Sequence, residues 1–426
     1  MVKIWFFIYN LIVVPVSYCG IRSLSLFNRK IRRGITGRKA SWRRLRRFRQ
    51  ENPDREVYLI HSASLGEFEQ AKPVIRGLKA IRPDVLIAAS FTSPSGFEHA
   101  ERMPEIGLMI YLPLDTYYRT RCFIQILRPA KIIFVTYELW PNLIMNARRL
   151  HIVTYLMSAR IRRNSSKFLP LVRSFFRELY RSLDYIFAVS EDDKDSVKQL
   201  VGGVPIRVLN LGDTRYDQVI ERARSRRSMP IPRLFSDHFV LIAGSVWPQD
   251  ARHLVPVIRK LHEHYPDIRY IIAPHEPNEY ALESFEDQFS GNGLLSCRFS
   301  RAEHFPVSET LVLIDKIGIL ADLYHQTRLA FVGGGFRGSV HNVMEPAVAG
   351  IPVIFGPAYH NSREAELLVK AGGGFSCKNG TELYRLIFKL VRDRAFYHQA
   401  SESARRVILD NLGASARTVR AILEND

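Results

Sequence analysis

Beyond Asn52 the chain alternates short apolar runs with amphipathic stretches, the pattern of a parallel sheet covered on both faces by helices. In the first half the runs are VYLIHS (57–62), VLIAASF (85–91), GLMIYLP (107–113), KIIFVTY (131–137), IVTYLMS (152–158), YIFAVS (185–190) and IRVLNLG (206–212). In the second half they are FVLIAGS (239–245), RYIIAPH (269–275), LVLIDK (311–316), LAFVGGG (329–335) and IPVIFGP (351–357). Between the halves RARSRRSMPIP (222–232) is polar, basic and proline-bearing, without periodicity, and reads as a linker. The pattern predicts an α/β protein of two Rossmann-like domains, 52–221 and 233–426, with a helical tail from Glu382. A length of 426 residues suits two such cores.

The first 51 residues do not share this pattern. Ile4 to Ile21 is apolar and uncharged, just long enough to cross a bilayer, and no small-residue cleavage site follows it. Arg22, Arg29, Lys30, Arg32, Arg33, Arg38, Lys39 and the run WRRLRRFR (42–49) come next, which places that end on the cytoplasmic side. Residues 1–51 therefore read as a membrane anchor with a basic juxtamembrane segment, separate from the folded domains. Asn10 and Pro15 interrupt a clean span, so a helix lying in the interface competes with a crossing one.

Charge sharpens that reading. Of the net +19, residues 1–50 supply thirteen Lys and Arg with no Asp or Glu, leaving forty-eight basic against forty-two acidic residues elsewhere. A nucleic-acid-binding protein would spread basic residues among aromatics over the folded domains, so anionic lipid is the expected partner and nucleic acid is not. Cys19, Cys122, Cys297 and Cys377 lie far apart in no metal-binding spacing, which fits a reducing compartment.

Candidate chemistry sits where runs end. In His61-Ser62-Ala63-Ser64-Leu65-Gly66-Glu67, Gly66 would permit close approach, and Glu67 falls in a first helical turn whose dipole should hold it ionised, ready to take a proton from a hydroxyl. The plainer alternative is that Ser64 and Glu67 form a capping box. Tyr137-Glu138-Leu139-Trp140-Pro141-Asn142 follows another run, and packing alone could explain it; Asp115 in YLPLD is similar. Gly333-Gly334-Gly335-Phe336-Arg337-Gly338 precedes Ser339-Val340-His341-Asn342-Val343-Met344-Glu345-Pro346. It contains G-x-G-x-x-G, but the next strand ends in Gly-Pro instead of a ribose-binding acid, so a phosphate at a helix start suits it better, with Glu345 toward a ribose. A tight turn with a buried polar cap is the alternative. Arg215 in GDTRYD could neutralise a phosphate or simply pair on the surface. Asp193 and Asp195, in the polar run EDDKD, have no strand-end setting for a metal.

Read in order, these segments resemble the family of transferases for 3-deoxy-D-manno-octulosonic acid (Kdo). The resemblance is carried by SLGE (64–67), ELWPN (138–142), GDTRYD (212–217), AGS (243–245), APHEP (273–277), FVGGG (331–335), HNVMEPA (341–347) and GPAYHN (356–361). Asp213 and Arg215 stand where the family usually has Asn and Lys, and His275-Glu276 where it has Arg-His. The resemblance implies a GT-B glycosyltransferase with two Rossmann-like domains facing a cleft, acting at the cytoplasmic face of the cell inner membrane. It would move Kdo from CMP-Kdo, with inversion, to a lipid A precursor, needing no cofactor or metal. It assigns Glu67 as general base and Glu138 as a second carboxylate, with Ser64 and Gly66 toward the acceptor. Arg215, Ser245, Gly334, Gly335, His341, Asn342, Glu345 and Asn361 fall toward the donor. In GT-B enzymes a terminal helix crosses back to the first domain, although nothing in these residues requires it. Another GT-B enzyme, such as a lipid A disaccharide synthase or a UDP-sugar epimerase, would share the fold, but the SLGE and ELWPN pair argues against both.

Overall fold

The computed structural model describes residues 2–162, 165–203, 206–226, 231–290, 294–302, 304 and 306–424. They form two compact units, residues 1–218 with 412–426, and residues 219–411. The first unit holds β1 (Val57–Ser62), β2 (Leu86–Phe91), β3 (Ile106–Tyr111), β4 (Lys131–Val135), β5 (Val153–Ala159), β6 (Tyr185–Ala188) and β7 (Arg207–Asn210), all parallel, in the order 3-2-1-4-5-6-7. The second holds β8 (Val240–Val246), β9 (Arg269–Pro274), β10 (Ser296–Arg298), β11 (Leu311–Leu313), β12 (Leu329–Val332), β13 (Val353–Phe355) and β14 (Gly374–Ser376), also parallel, in the order 10-11-9-8-12-13-14.

All twelve expected strands are present. The two that the apolar pattern does not show, β10 (SCR) and β14 (GFS), are three-residue edge strands too short for any period. Continuous apolar runs mark the rest because both faces of a covered parallel sheet are dry. Along β1, Val57 and Leu59 enter one core while Tyr58 and Ile60 enter the opposite one. Leu241 and Ala243 of β8 divide from Val240 and Ile242 in the same way.

The boundaries differ from those drawn on the sequence in three places. The helix Thr214–Arg226 takes in the first five residues of the expected linker, of which 227–230 lie outside the described residues. Helix Ala414–Leu423 belongs to the first unit. There Val419 packs at Gly77 of helix Leu65–Ile81, and Asp217 accepts hydrogen bonds from the Gly413 and Ser415 amides at 2.7 and 2.6 Å.

The largest correction concerns residues 29–51. They form one helix that packs across β3 as part of the folded unit, with Leu45 and Phe48 in its core. Gly37 lies against the Tyr111 ring, where a Cβ would come within 2.3 Å of Cε2. Arg38 donates to the Leu112 and Thr92 carbonyls, both at 3.0 Å, and Arg49 to the Leu127 carbonyl at 2.8 Å. Trp42, Leu45 and Phe48 recur every third residue, a stripe hidden among seven Arg and Lys between 38 and 49. Leu45→Ala in the full-length protein should cost about 2–5 kcal/mol and lower the thermal midpoint by roughly 5–15 °C. An unchanged midpoint would make this helix an appendage after all.

Candidate active site

In an open parallel sheet, ligands bind beyond the carboxyl ends of the strands where strand order reverses, because the helices leave a crevice there. The first sheet reverses between β1 and β4 and the second between β8 and β12. SLGE follows β1 and ELWPN follows β4; Ser245 lies in β8, and the Gly333–Glu345 segment follows β12.

At the first reversal Ser64 caps helix Leu65–Ile81. Its Oγ accepts the Glu67 amide, and Glu67 Oε2 accepts the Ala63 and Ser64 amides, so the capping box is formed. Among the described residues no hydrogen bond reaches Oε1 of Glu67. Glu67 is buried, and burial pushes its carboxyl up to about 7 against the lowering pull of the two amides, with the nearby charge of Glu138 raising it further. The expectation that the helix start keeps Glu67 fully ionised is thus reversed, because desolvation outweighs the dipole. Burial also raises Glu138. Gly66 does not serve close packing within the protein, since a Cβ there would meet nothing within 4 Å.

The Glu138 loop is held by contacts that the sequence does not announce. Thr136 follows β4 at φ +62°, a left-handed conformation costly for a β-branched residue, and its Oγ1 donates to Gln70 Oε1 at 3.2 Å. The Trp140 indole donates to Nε2 of buried His61 at 2.9 Å. An indole N–H can only donate, so Nε2 is the acceptor and the proton sits on Nδ1, 2.9 Å from Ser90 Oγ. Burial holds His61 neutral, down to about 3. Asp115, pushed up to about 6 by burial, accepts the Asn142 and Leu143 amides at 3.0 Å and so fixes the start of helix Pro141–Arg149. Arg215, at the start of helix Thr214–Arg226, forks onto buried Asp213, which Arg160 also contacts.

At the second reversal the glycine loop does not run into a helix as expected. Gly334 O accepts the amides of Arg337, Gly338 and Ser339 in a turn, and a five-residue helix begins only at Met344, whose amide bonds to Asn342 Oδ1. Fully buried Asp250, absent from the sequence reading, organises the loop: Oδ2 accepts the Trp247 and Gly334 amides at 3.0 and 2.7 Å, and Oδ1 the Phe336 amide at 3.1 Å. Gly334, at φ +92°, thus spends its amide on the loop itself. Gly335 is required by the Gly356 backbone, 2.5 Å from where its Cβ would stand. Asn361 clamps the Val340 amide and carbonyl, both at 3.0 Å, and Glu345 pairs with Arg222 at 3.1 Å. Ser245 holds φ +55°.

Around this loop runs a stack of rings. Arg337 lies 3.5 Å over Trp247, Trp247 stacks on His275 at 4.1 Å, and His275 on His341 at 4.4 Å. The Trp247 indole donates to His341 Nε2 at 2.7 Å, so His341 carries its proton on Nδ1, and burial with His275 and Arg337 nearby keeps its pKa low. Trp247, His275, Glu276, Tyr280 and Arg337 border a cavity of about 480 Å³ in the second unit.

Two doubly wound sheets with polar groups gathered at each reversal define the GT-B class. Solved structures agree at the level of fold. The UDP-GlcNAc 2-epimerase from Neisseria meningitidis bound to UDP-GlcNAc superposes with a TM-score of 0.63 at 15% identity over 87% of this chain and 100% of that one. A glycosyltransferase from Rickettsia africae ESF-5 gives 0.57 at 12% over 87% and 97%. Sequence separates this chain from the epimerases. The family model for 3-deoxy-D-manno-octulosonic-acid transferase (kdotransferase) matches residues 39–218. The 3-deoxy-D-manno-octulosonic acid transferase of Haemophilus influenzae is 25% identical over 97% of both chains, and that of Chlamydophila psittaci 28% identical over 80% of both. Over most of its length the chain is thus similar in sequence to the Kdo transferases, and it is a glycosyltransferase.

Asp250→Asn would turn an amide group toward at least one of three backbone donors. It should cost about 1–3 kcal/mol of second-unit stability in urea unfolding; an unshifted midpoint would mean that Asp250 does not hold the glycine loop.

Proposed function

We propose that the chain transfers Kdo from CMP-Kdo to a hydroxyl of a lipid A precursor, with inversion, at the cytoplasmic face of the inner membrane. The observation that carries this reading is the pair Glu67 and Glu138 at the reversal of the first sheet, with one Glu67 oxygen unbonded among the described residues and its pKa pushed up to about 7. A carboxylate poised near the operating pH is suited to general-base work.

The bond from the sugar carbon to the CMP phosphate breaks with its electron pair leaving on CMP, and the carbon becomes oxocarbenium-like. The acceptor hydroxyl forms the new bond and yields its proton to Glu67. Burial holds the base's pKa up, the charge of Glu138 adds to it, and Glu138 lies on the acceptor side with Ser64 and Gly66. Charge on the departing phosphate falls to His341, whose Nδ1–H is a donor. Ser245, Gly334, Gly335, Asn342, Glu345 and Asn361 belong to the donor side, several of them by shaping the loop that carries His341. These groups supply the acid–base and electrostatic work without a resident metal. A lipid A disaccharide synthase or UDP-sugar epimerase is disfavoured by the SLGE and ELWPN pair that brings the two carboxylates together.

The test is turnover of purified protein with CMP-Kdo and a tetra-acylated lipid A precursor, with added sugars counted by mass spectrometry. Glu67→Gln keeps the cap, so it should cost on the order of 10²–10⁴ in turnover while CMP affinity and melting change little. Near-normal turnover in the Gln variant would sink the base assignment. A loss of stability without a kinetic effect would leave Glu67 as a cap alone.

A further inference from the structure

The segment Ile4–Phe27 is long and apolar enough to cross a membrane. From its contacts with the first unit we propose that it lies in the membrane plane, docked lengthwise on that unit, with its outer face in an anionic lipid surface. This rests on the membrane residence proposed above and adds how the chain sits there.

The docking contacts are specific and polar. Tyr9 OH donates to Asp115 Oδ2 at 2.9 Å, and the Asn10 and Asn142 side-chain amides exchange two hydrogen bonds at 3.0 Å each. Trp5 meets Phe175 edge-on at 5.9 Å, Tyr9 stacks on Phe175 at 6.2 Å, and Phe6 meets Tyr117 at 6.4 Å. Farther along, Arg119 stands over the Tyr18 ring. Val14, Tyr18, Ile21 and Ser25, spaced four, three and four residues apart, continue one half-covered stripe to the helix end.

A crossing helix cannot keep these contacts. The basic residues from Arg22 onward fix the cytoplasmic end, and the next helix, Arg29–Glu51, is built into the folded unit, which therefore lies on that side. At 1.5 Å per residue a crossing helix would carry Tyr9 and Asn10 about 20 Å from Arg22 toward the far leaflet. Asp115 and Asn142 are buried in the folded unit and could not follow.

The face away from the unit fits lipid. Phe7, Leu11, Ile12, Val16, Leu24 and Phe27 are exposed. Leu171, exposed, lies one helical turn from Phe175 on the same face of helix Pro170–Arg181 and extends the apolar surface beside the docked segment. Exposed Arg29, Lys30, Arg32 and Arg33 follow at one end and suit anionic headgroups. Because Asp115 also fixes the helix that starts just after Glu138, the anchor is keyed to the loop bearing that carboxylate.

The experiment uses the full chain with its four cysteines changed to Ser and single spin labels at Phe7→Cys, Leu11→Cys, Val16→Cys and Leu24→Cys. The protein is reconstituted in phosphatidylethanolamine–phosphatidylglycerol vesicles, and depth is read from collisions with oxygen against a nickel chelate. All four labels should report one shallow depth, about 5–10 Å below the headgroups. A depth that rises to a maximum near residue 16 and falls again would overturn the in-plane arrangement. Protein that stays in the supernatant, with every label open to nickel, would overturn the membrane reading itself.

Discussion

A parallel sheet whose strand order reverses must leave its crevice at the carboxyl ends of two particular strands, and most of what is functional here follows from that constraint applied twice. Between β1 and β4 it brings together two loops whose carboxylates, Glu67 and Glu138, lie 71 residues apart in sequence; between β8 and β12 it sets Ser245 beside the glycine loop. Loops at such a place are drawn out of water by the helices on either side. That withdrawal raises Glu67 toward neutrality although the helix amides pull the other way.

Each reversal is fastened by the same device. An indole donates to a buried or half-buried histidine, Trp140 to His61 in the first unit and Trp247 to His341 in the second, which fixes the tautomer of each ring. A buried carboxylate then gathers backbone amides, Asp115 for helix Pro141–Arg149 and Asp250 for the glycine loop. Strain collects at the same places, with Thr136 and Ser245 both in left-handed conformations. Such backbone survives only where surrounding hydrogen bonds over-determine it.

How much of this could be read from the chain depends on the range of the interaction. Strand positions were legible, since a doubly covered strand must be apolar throughout. Glu67 and Glu138 were legible as members of motifs at strand ends. The ionisation of Glu67 was not, because the dipole is local in sequence whereas the desolvation comes from the packing of distant segments. Asp250 passes in the sequence for an ordinary helix-start acid, and its three amide partners lie up to 86 residues away. Leu45 and Phe48 stay hidden in the sequence because arginines that satisfy backbone carbonyls look there like arginines that face lipid.

The proposed catalysis turns on Glu67 being a base whose pKa is set by burial and, further, by the charge of Glu138. The most direct measurement is the pH dependence of kcat/KM for the wild type and for Glu138→Gln. In the wild type the rate should rise with pH through a midpoint near 7 as Glu67 loses its proton. Removing the neighbouring negative charge should make Glu67 easier to ionise, so the midpoint of the Gln variant should move to lower pH whatever happens to its maximal rate. A midpoint that stays in place, or moves up, would contradict the claim.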